Sequence, residues 1–186
     1  LQADQTLSFQ FYKRSFFHEE MGVLTGEVEI IDIGLNQTFI NATQTNYLTL
    51  DADAARAIYK PRKPFSHKGT YGDVLMIAGS YGMMGAAVLA VKAALRSGAG
   101  KVRAFIPECG YTVLQTAVPE AMCTTKGDKY VTTLNGWEGA GAIGIGPGLG
   151  MQDYTVRAFA DFIEACKQPI VIDADGLNLL AKQPEI

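Results

Sequence analysis

Residues 74–100, VLMIAGSYGMMGAAVLAVKAALRSGAG, decide the fold. The first seven, VLMIAGS, read as a strand whose apolar run, Val74 to Ala78, suits burial on both faces. Gly79, Gly82 and Gly85 then break the run. From Met84 the chain takes the alanine-rich pattern of a helix, with Gly98 and Gly100 as its stop signals. Val74 to Val91 carries no charge and on count alone is long enough to span a bilayer. The glycines in its middle and the change of period make a buried strand, a turn and a helix the better reading.

The same alternation continues downstream. KVRAFIPE (101–108) is a strand, and YTVLQTAV (111–118) a short helix that Pro119 ends. VPEAM (118–122) is a turn before a further strand, and GAIGIGPGLG (141–150) a strand running into a glycine turn. Asp153 to Lys167 is helical, with Val156, Phe159, Ala160, Ile163 and Cys166 on one face. PIVIDADGLNLLA (169–181) is again strand into helix. Apolar strands alternating with helices specify an α/β class: a parallel sheet covered by helices on both faces.

Upstream, TLSFQF (6–11) and GEVEIIDIGL (26–35) alternate apolar and polar positions as strands do. Asn36 to Tyr47 has a linker's composition and sets a boundary near Tyr47. LTLDADAARAIY (48–59) follows as a short helix with an aspartate at its start, then a basic, proline-bearing loop, KPRKPFSHKGTYG (60–72).

The 186 residues are 48% hydrophobic and 19% charged, enough apolar material for a core and too little charge for disorder. A net charge of −3 argues against a nucleic-acid partner, which would need a basic field. Cys109, Cys123 and Cys166 are odd in number and form no CxxC, which fits a reducing, cytoplasmic setting without a disulfide framework. His18 and His67 are too far apart for a metal cluster, and LQADQTLSFQ lacks the order of a secretory signal. Neither a metal site nor a membrane partner is expected.

Four turns carry chemistry. GSYGMMGA (79–86) follows a strand and opens a helix, where bare amides can meet an anion; a tight packing turn explains it equally well. It has neither the Lys-Ser/Thr of a P-loop nor the spacing of the dinucleotide fingerprint. The GxGxxG at Gly139–Gly144 precedes its strand and is rejected for that reason. GIGPGLG (144–150) exposes backbone where a strand ends. In VIDADGLNLL, Asp173 and Asp175 can hold Mg²⁺ or orient a hydroxyl, with Asn178 a helical turn on; capping of the helix is the alternative. In SHKGTYG (66–72), Lys68 or His67 can touch phosphate, or the loop is simply solvated. Turns of this kind grouped at the carboxyl ends of strands describe a phosphate-bearing small ligand in an α/β cleft.

SHKGTYGDVLMIAGSYGMMGAAVLAVKAALRSGAG, VPEAM, GIGPGLG and VIDADGLNLLA, in that order, resemble the ADP/ATP-dependent NAD(P)H-hydrate dehydratases, which have a ribokinase-like fold. The stretch ADQTLSFQFYKRSFF…GEVEIIDIGL resembles the last strands of the NAD(P)H-hydrate epimerase domain, Rossmann-like and often fused upstream. The resemblance implies a two-part chain: 1–47 as an epimerase tail with linker, and 48–186 as the first half of a dehydratase domain, an internal fragment of a bifunctional repair enzyme. It further implies NADHX and NADPHX as substrates, ADP or ATP with Mg²⁺ as cofactors, K⁺ for the epimerase domain with ligands outside this chain, and a homo-oligomer. Gly85, Ala86, Gly146, Gly148, Asp173, Asp175 and Asn178 are then substrate-binding, and Lys68 nucleotide-binding. The catalytic aspartate is expected beyond Ile186, so the fragment alone is expected to be inactive. A ribokinase-like kinase of a vitamin precursor and a non-catalytic nucleotide-binding module are the competing expectations.

Overall fold

A computed structural model describes residues 2–183; Leu1 and 184–186, the outer ends of the two expected domains, lie outside the described residues. Two compact units divide after Pro61, beyond the boundary expected near Tyr47.

In the N-terminal unit, β1 (Gln5–Phe9) and β2 (Glu27–Ile31) pair in parallel, from Gln5 opposite Glu27 to Phe9 opposite Ile31. A 3₁₀ turn (Arg14–Phe17) and α1 (Glu19–Thr25) connect them. Gly26 closes α1 with φ +57°, and a Cβ there would stand 2.2 Å from the Asp4 carbonyl oxygen, so only glycine fits. The Asn/Thr-rich stretch expected to be a linker contains α2 (Gln37–Ala42), because the Asn36 side chain accepts the Phe39 N–H at 2.9 Å and caps it. Asp51 likewise caps α3 (Ala52–Ile58) through the Ala54 N–H at 2.8 Å, as expected. Two strands cover little, and Phe11, Phe17, Leu35 and Phe39 remain exposed around a groove of about 1440 Å³.

The second unit is a five-stranded, all-parallel sheet in the order β5-β4-β3-β6-β7. Its strands are β3 (Asp73–Ile77), β4 (Lys101–Ile106), β5 (Met122–Thr125), β6 (Ala142–Ile145) and β7 (Ile170–Ile172). The helices are α4 (Met84–Arg96), α5 (Tyr111–Ala117), α6 (Asp153–Ala165) and α7 (Asp175–Ala181). Val74–Val91 resolves into β3, a turn and the start of α4, and among the described residues no helix is long and apolar enough to cross a membrane.

Two cores lie against the sheet. Met84, Ala87, Val91 and Leu114 from α4 and α5 pack with Val102, Ala104 and Ile106. Phe159, Phe162 and Leu179 from α6 and α7 pack with Leu75, Ile77, Ile143 and Ile145. The buried face of α6 is rotated from the expected one: Phe159 and Cys166 are buried with Thr155, Ala158 and Phe162, while Val156, Ala160 and Ile163 are half-buried. The rotation follows from Thr155, whose buried hydroxyl donates to the Val131 carbonyl at 3.0 Å and so satisfies a polar group that spacing alone assigns to solvent.

Strand order runs outward from β3 through β4 to β5, then restarts on the other side with β6. The reversal between β3 and β6 is a switch point, where loops leave their carboxyl ends in opposite directions and open a crevice.

Candidate functional site at the carboxyl edge of the sheet

The loops after β3 and β6 are joined to each other at this switch point. After β3 the chain turns at Gly79, with φ +84°, and the Gly79 N–H donates to the Pro147 carbonyl at 2.9 Å. The next residue, Ser80, is wholly buried, and its hydroxyl donates to the Gly148 carbonyl at 2.7 Å. Two hydrogen bonds thus weld turns about seventy positions apart in sequence. Replacing Ser80 by alanine leaves the Gly148 carbonyl without this donor, and a loss of about 1–3 kcal/mol is expected in urea unfolding of the protein.

The turn after β6 is built on close backbone approach. The Gly146 N–H donates to the Ile77 carbonyl at 3.1 Å, and Gly148, with φ +64°, lies on α4, where a Cβ would stand 2.8 Å from the Met83 carbonyl oxygen and 3.0 Å from Ala86 Cβ. Gly148 is thus set against the start of α4 at Met83 and Ala86, with Gly146 two residues before it on the same turn. One detail is corrected: the Gly146 amide is already committed to Ile77 and Pro147 has none, so of the Gly-Pro-Gly amides only that of Gly148 lacks an intramolecular acceptor among the described residues.

Beside Gly148, α4 begins at Met84 with no side-chain cap on its first turn. The Ala86 N–H reaches the Met83 carbonyl at 3.2 Å, which leaves the Met84 and Gly85 amides at the positive end of a 13-residue helix. Gly85 is exposed, and a Cβ there would meet nothing within 4 Å. The methionine pair divides: Met84 is 8% exposed and packs into the core, whereas Met83 is 40% exposed beside Gly148.

From the other side, β7 delivers the two aspartates. The Asp173 N–H donates to the Ile145 carbonyl at 3.1 Å, and its side chain is exposed. Ala174 follows with φ 49° and ψ −121°, a conformation that costs a non-glycine residue about 1–3 kcal/mol. Ala174, not an aspartate, holds the cap position of α7. The half-buried Asp175 turns its carboxylate to the β6 loop: Oδ2 accepts the Gly150 N–H at 2.9 Å, while Oδ1 lies 3.5 Å from the amide nitrogen of the exposed Asn178. Gly150, with φ +83°, is hemmed in by Gln152, whose buried Oε1 has no partner among the described residues and would lie 2.6 Å from a Cβ.

The rim at β4 and β5 adds groups that no local pattern announced. The Glu108 and Cys109 amides donate to the Gly127 and Asp128 carbonyls at 2.7 and 3.0 Å, and the Tyr81 amide to the Lys129 carbonyl at 2.8 Å. Lys129 Nζ stands 5.2 Å from the centre of the Tyr81 ring, a cation–aromatic contact that keeps a positive charge beside the glycine turn. Burial, and then the Asp128 charge, push the Cys109 thiol above its ordinary value, which disfavours the thiolate.

Lys68 is not brought to this edge. Its 3₁₀ turn (Lys68–Tyr71) immediately precedes β3, at the amino edge, a full strand of about 16 Å from the glycine turns. There it borders a hollow of about 540 Å³ with Asp73, Lys101, Arg103 and Glu138, in which Arg103 Nε meets Asp73 at 2.9 Å. The expectation that SHKGTYG shares the carboxyl-edge cleft is corrected: a loop that enters a strand of a parallel sheet lies opposite the loops that leave it.

Among the described residues no three His, Cys, Asp or Glu side chains converge as a metal cage. The exposed Asp173 carboxylate at this edge suits instead a Mg²⁺ that arrives on phosphates and takes one or two protein carboxylates.

A family profile described as NAD(P)H-hydrate dehydratase matches residues 74–186. The bifunctional NAD(P)H-hydrate repair enzymes Nnr of Escherichia coli and Moorella thermoacetica are 34% and 33% identical, each over 100% of this chain and over 35% and 37% of their own lengths. The chain thus spans about a third of these curated relatives. A solved ADP/ATP-dependent NAD(P)H-hydrate dehydratase from Bacillus subtilis, co-crystallised with ATP/Mg²⁺, is 36% identical with a TM-score of 0.57, over 67% of this chain and 45% of that one. A ribokinase-like superfamily protein from Enterococcus faecalis, 24% identical with a TM-score of 0.63 over 76% of this chain and 52% of that one, shares the fold.

Proposed function

The chain belongs to the NAD(P)H-hydrate dehydratase family, and from that premise we propose that it cradles hydrated NADH or NADPH for dehydration at the expense of ADP or ATP, in a protein that also epimerises the hydrate. The observation that carries this reading is the pair of welded glycine turns after β3 and β6, lined by backbone rather than by side chains. Amides pointing from the start of α4 and from Gly148 suit the pyrophosphate of a dinucleotide. Gly85, Ala86, Gly146 and Gly148 form the cradle, and Asp173 and Asn178 border its phosphoryl-transfer side.

Hydroxide is a poor leaving group from the hydrated nicotinamide ring. Transfer of a phosphoryl group from ADP or ATP to that hydroxyl makes it a phosphate. The ring nitrogen's lone pair then expels phosphate as the C–O bond breaks, and loss of a proton from the adjacent carbon restores the dihydropyridine. Mg²⁺, brought on the nucleotide, supplies charge neutralisation. The contribution of this chain is position: a fixed turn geometry holds the ring where transfer is in line. No described residue is assigned the task of accepting the hydroxyl proton.

The test incubates the protein, as its gene encodes it, with hydrated NADH, ADP and Mg²⁺. Recovery of the absorbance of reduced nicotinamide together with phosphate release is expected. Accumulation of a stable phosphoester would assign a kinase of the same fold instead, and ligand binding without turnover a non-catalytic module.

A further inference from the structure

Resting on this reading of the site, we infer that Asp175 is a positioning residue, the clamp that holds the Gly146–Gly150 turn in its binding shape through its capacity to accept a hydrogen bond, not through its charge. The expectation from sequence grouped Asp175 with Asp173 as a substrate contact. The geometry separates them: Asp173 is exposed, whereas Asp175 is half-buried and turned to the chain's own Gly150 N–H at 2.9 Å.

Three features make this bond a device and not an incidental contact. Gly150 ends the β6 turn with φ +83°, so the turn leaves the sheet in a conformation that nothing in β6 itself maintains. Ala174, immediately before Asp175, is held in a glycine-like conformation by bonds on both sides, from the Asp173 N–H to the Ile145 carbonyl and from the Gly176 N–H to the Asp173 carbonyl. Strain there aims the first side chain of α7 at the β6 loop. Finally, the Asn178 amide nitrogen lies 3.5 Å from the other carboxylate oxygen, on the side away from Gly150. With Ser80 bonded to Gly148 from the β3 side, the glycine turn is gripped from both neighbouring strands, and Asp175 supplies the β7 grip.

A proton acceptor needs a carboxylate, and a ligand that neutralises a cation needs its charge; a clamp needs only an oxygen. Asp175→Asn keeps an acceptor of the same size at the same place, and Asp175→Ala removes it. In the protein as its gene encodes it, Asp175→Asn is expected to keep KM for the hydrate within about threefold, with an unchanged pH profile of kcat. Asp175→Ala is expected to raise KM about tenfold while kcat falls less. Exchange of the Gly150 amide with solvent, followed by NMR, is expected to quicken about tenfold in Asp175→Ala and to stay near the native rate in Asp175→Asn.

If Asp175→Asn loses activity as completely as a deletion of the group, the charge matters and the clamp is refuted, whether or not Asp175→Ala yields folded protein. Unchanged Gly150 exchange in Asp175→Ala refutes it too. The exchange measurement does not depend on turnover. If the native protein proves unable to dehydrate the hydrate, the proposed function falls while the clamp is still decided.

Discussion

Replacing Gly146 by alanine is expected to destabilise the protein by about 4 kcal/mol or more, enough to exhaust much of the stability of an ordinary domain. Two costs coincide at this position. Its φ of +127° is one that side-chain-bearing residues rarely adopt, and an added Cβ would stand 1.9 Å from the Asp173 carbonyl oxygen and 2.7 Å from the Gly176 nitrogen. Both obstacles are backbone, and the Gly146 and Asp173 amides on either side are tied to Ile77 and Ile145, so neither can yield without parting β6 from its neighbours. Gly139→Ala is the control. Its φ is also positive, at +83°, with nothing within 4 Å of an added Cβ, and conformational strain alone should cost about 1–2 kcal/mol there. Urea unfolding of both variants separates strain from collision. Equal losses would show that β6 and β7 do not approach as closely at Gly146 as described.

What the amino-acid sequence disclosed depended on whether the cause was local. The strand–turn–helix at 74–100 was legible because apolar run, glycine break and alanine period lie next to one another, and Gly-Pro-Gly was legible as a turn for the same reason. α1 and α2 were not: each spans fewer than two turns, α1 opens without a side-chain cap, and the cap at Asn36 sits inside a stretch whose composition reads as linker. The bonds that make the site were silent. Ser80 finds Gly148, Asp175 finds Gly150 and Tyr81 finds Lys129 only once the sheet has assembled. Spacing placed Asp175 correctly at a strand end, but no pattern told a ligand contact from a brace. Lys68 is a different case: SHKGTYG precedes its strand, and in a parallel sheet that order by itself puts the lysine on the amino edge, so the signal was present and chemistry-bearing residue type outweighed it.

Gly85→Ala is expected to do the opposite of Gly146→Ala, leaving stability unchanged or higher while abolishing most activity. Gly85 is the second residue of α4, and its φ is not positive; an added Cβ would meet no atom of the protein within 4 Å. Nothing inside the fold asks for glycine there, and alanine is the better helix former by up to about 1 kcal/mol. A helix start that forgoes this gain beside the Gly148 amide leaves open space over its first-turn amides, and in the proposed function that space is where the dinucleotide backbone comes to rest. A methyl group would hold the ligand away from those amides by about an ångström, and a misplacement of that size costs on the order of 100-fold in kcat/KM when chemistry depends on alignment. Thermal unfolding and dehydratase kinetics on the same preparation decide the matter. A variant that is stable and inactive locates the substrate on the first turn of α4, whereas one that is stable and fully active moves the dinucleotide off that helix and leaves the glycine unexplained.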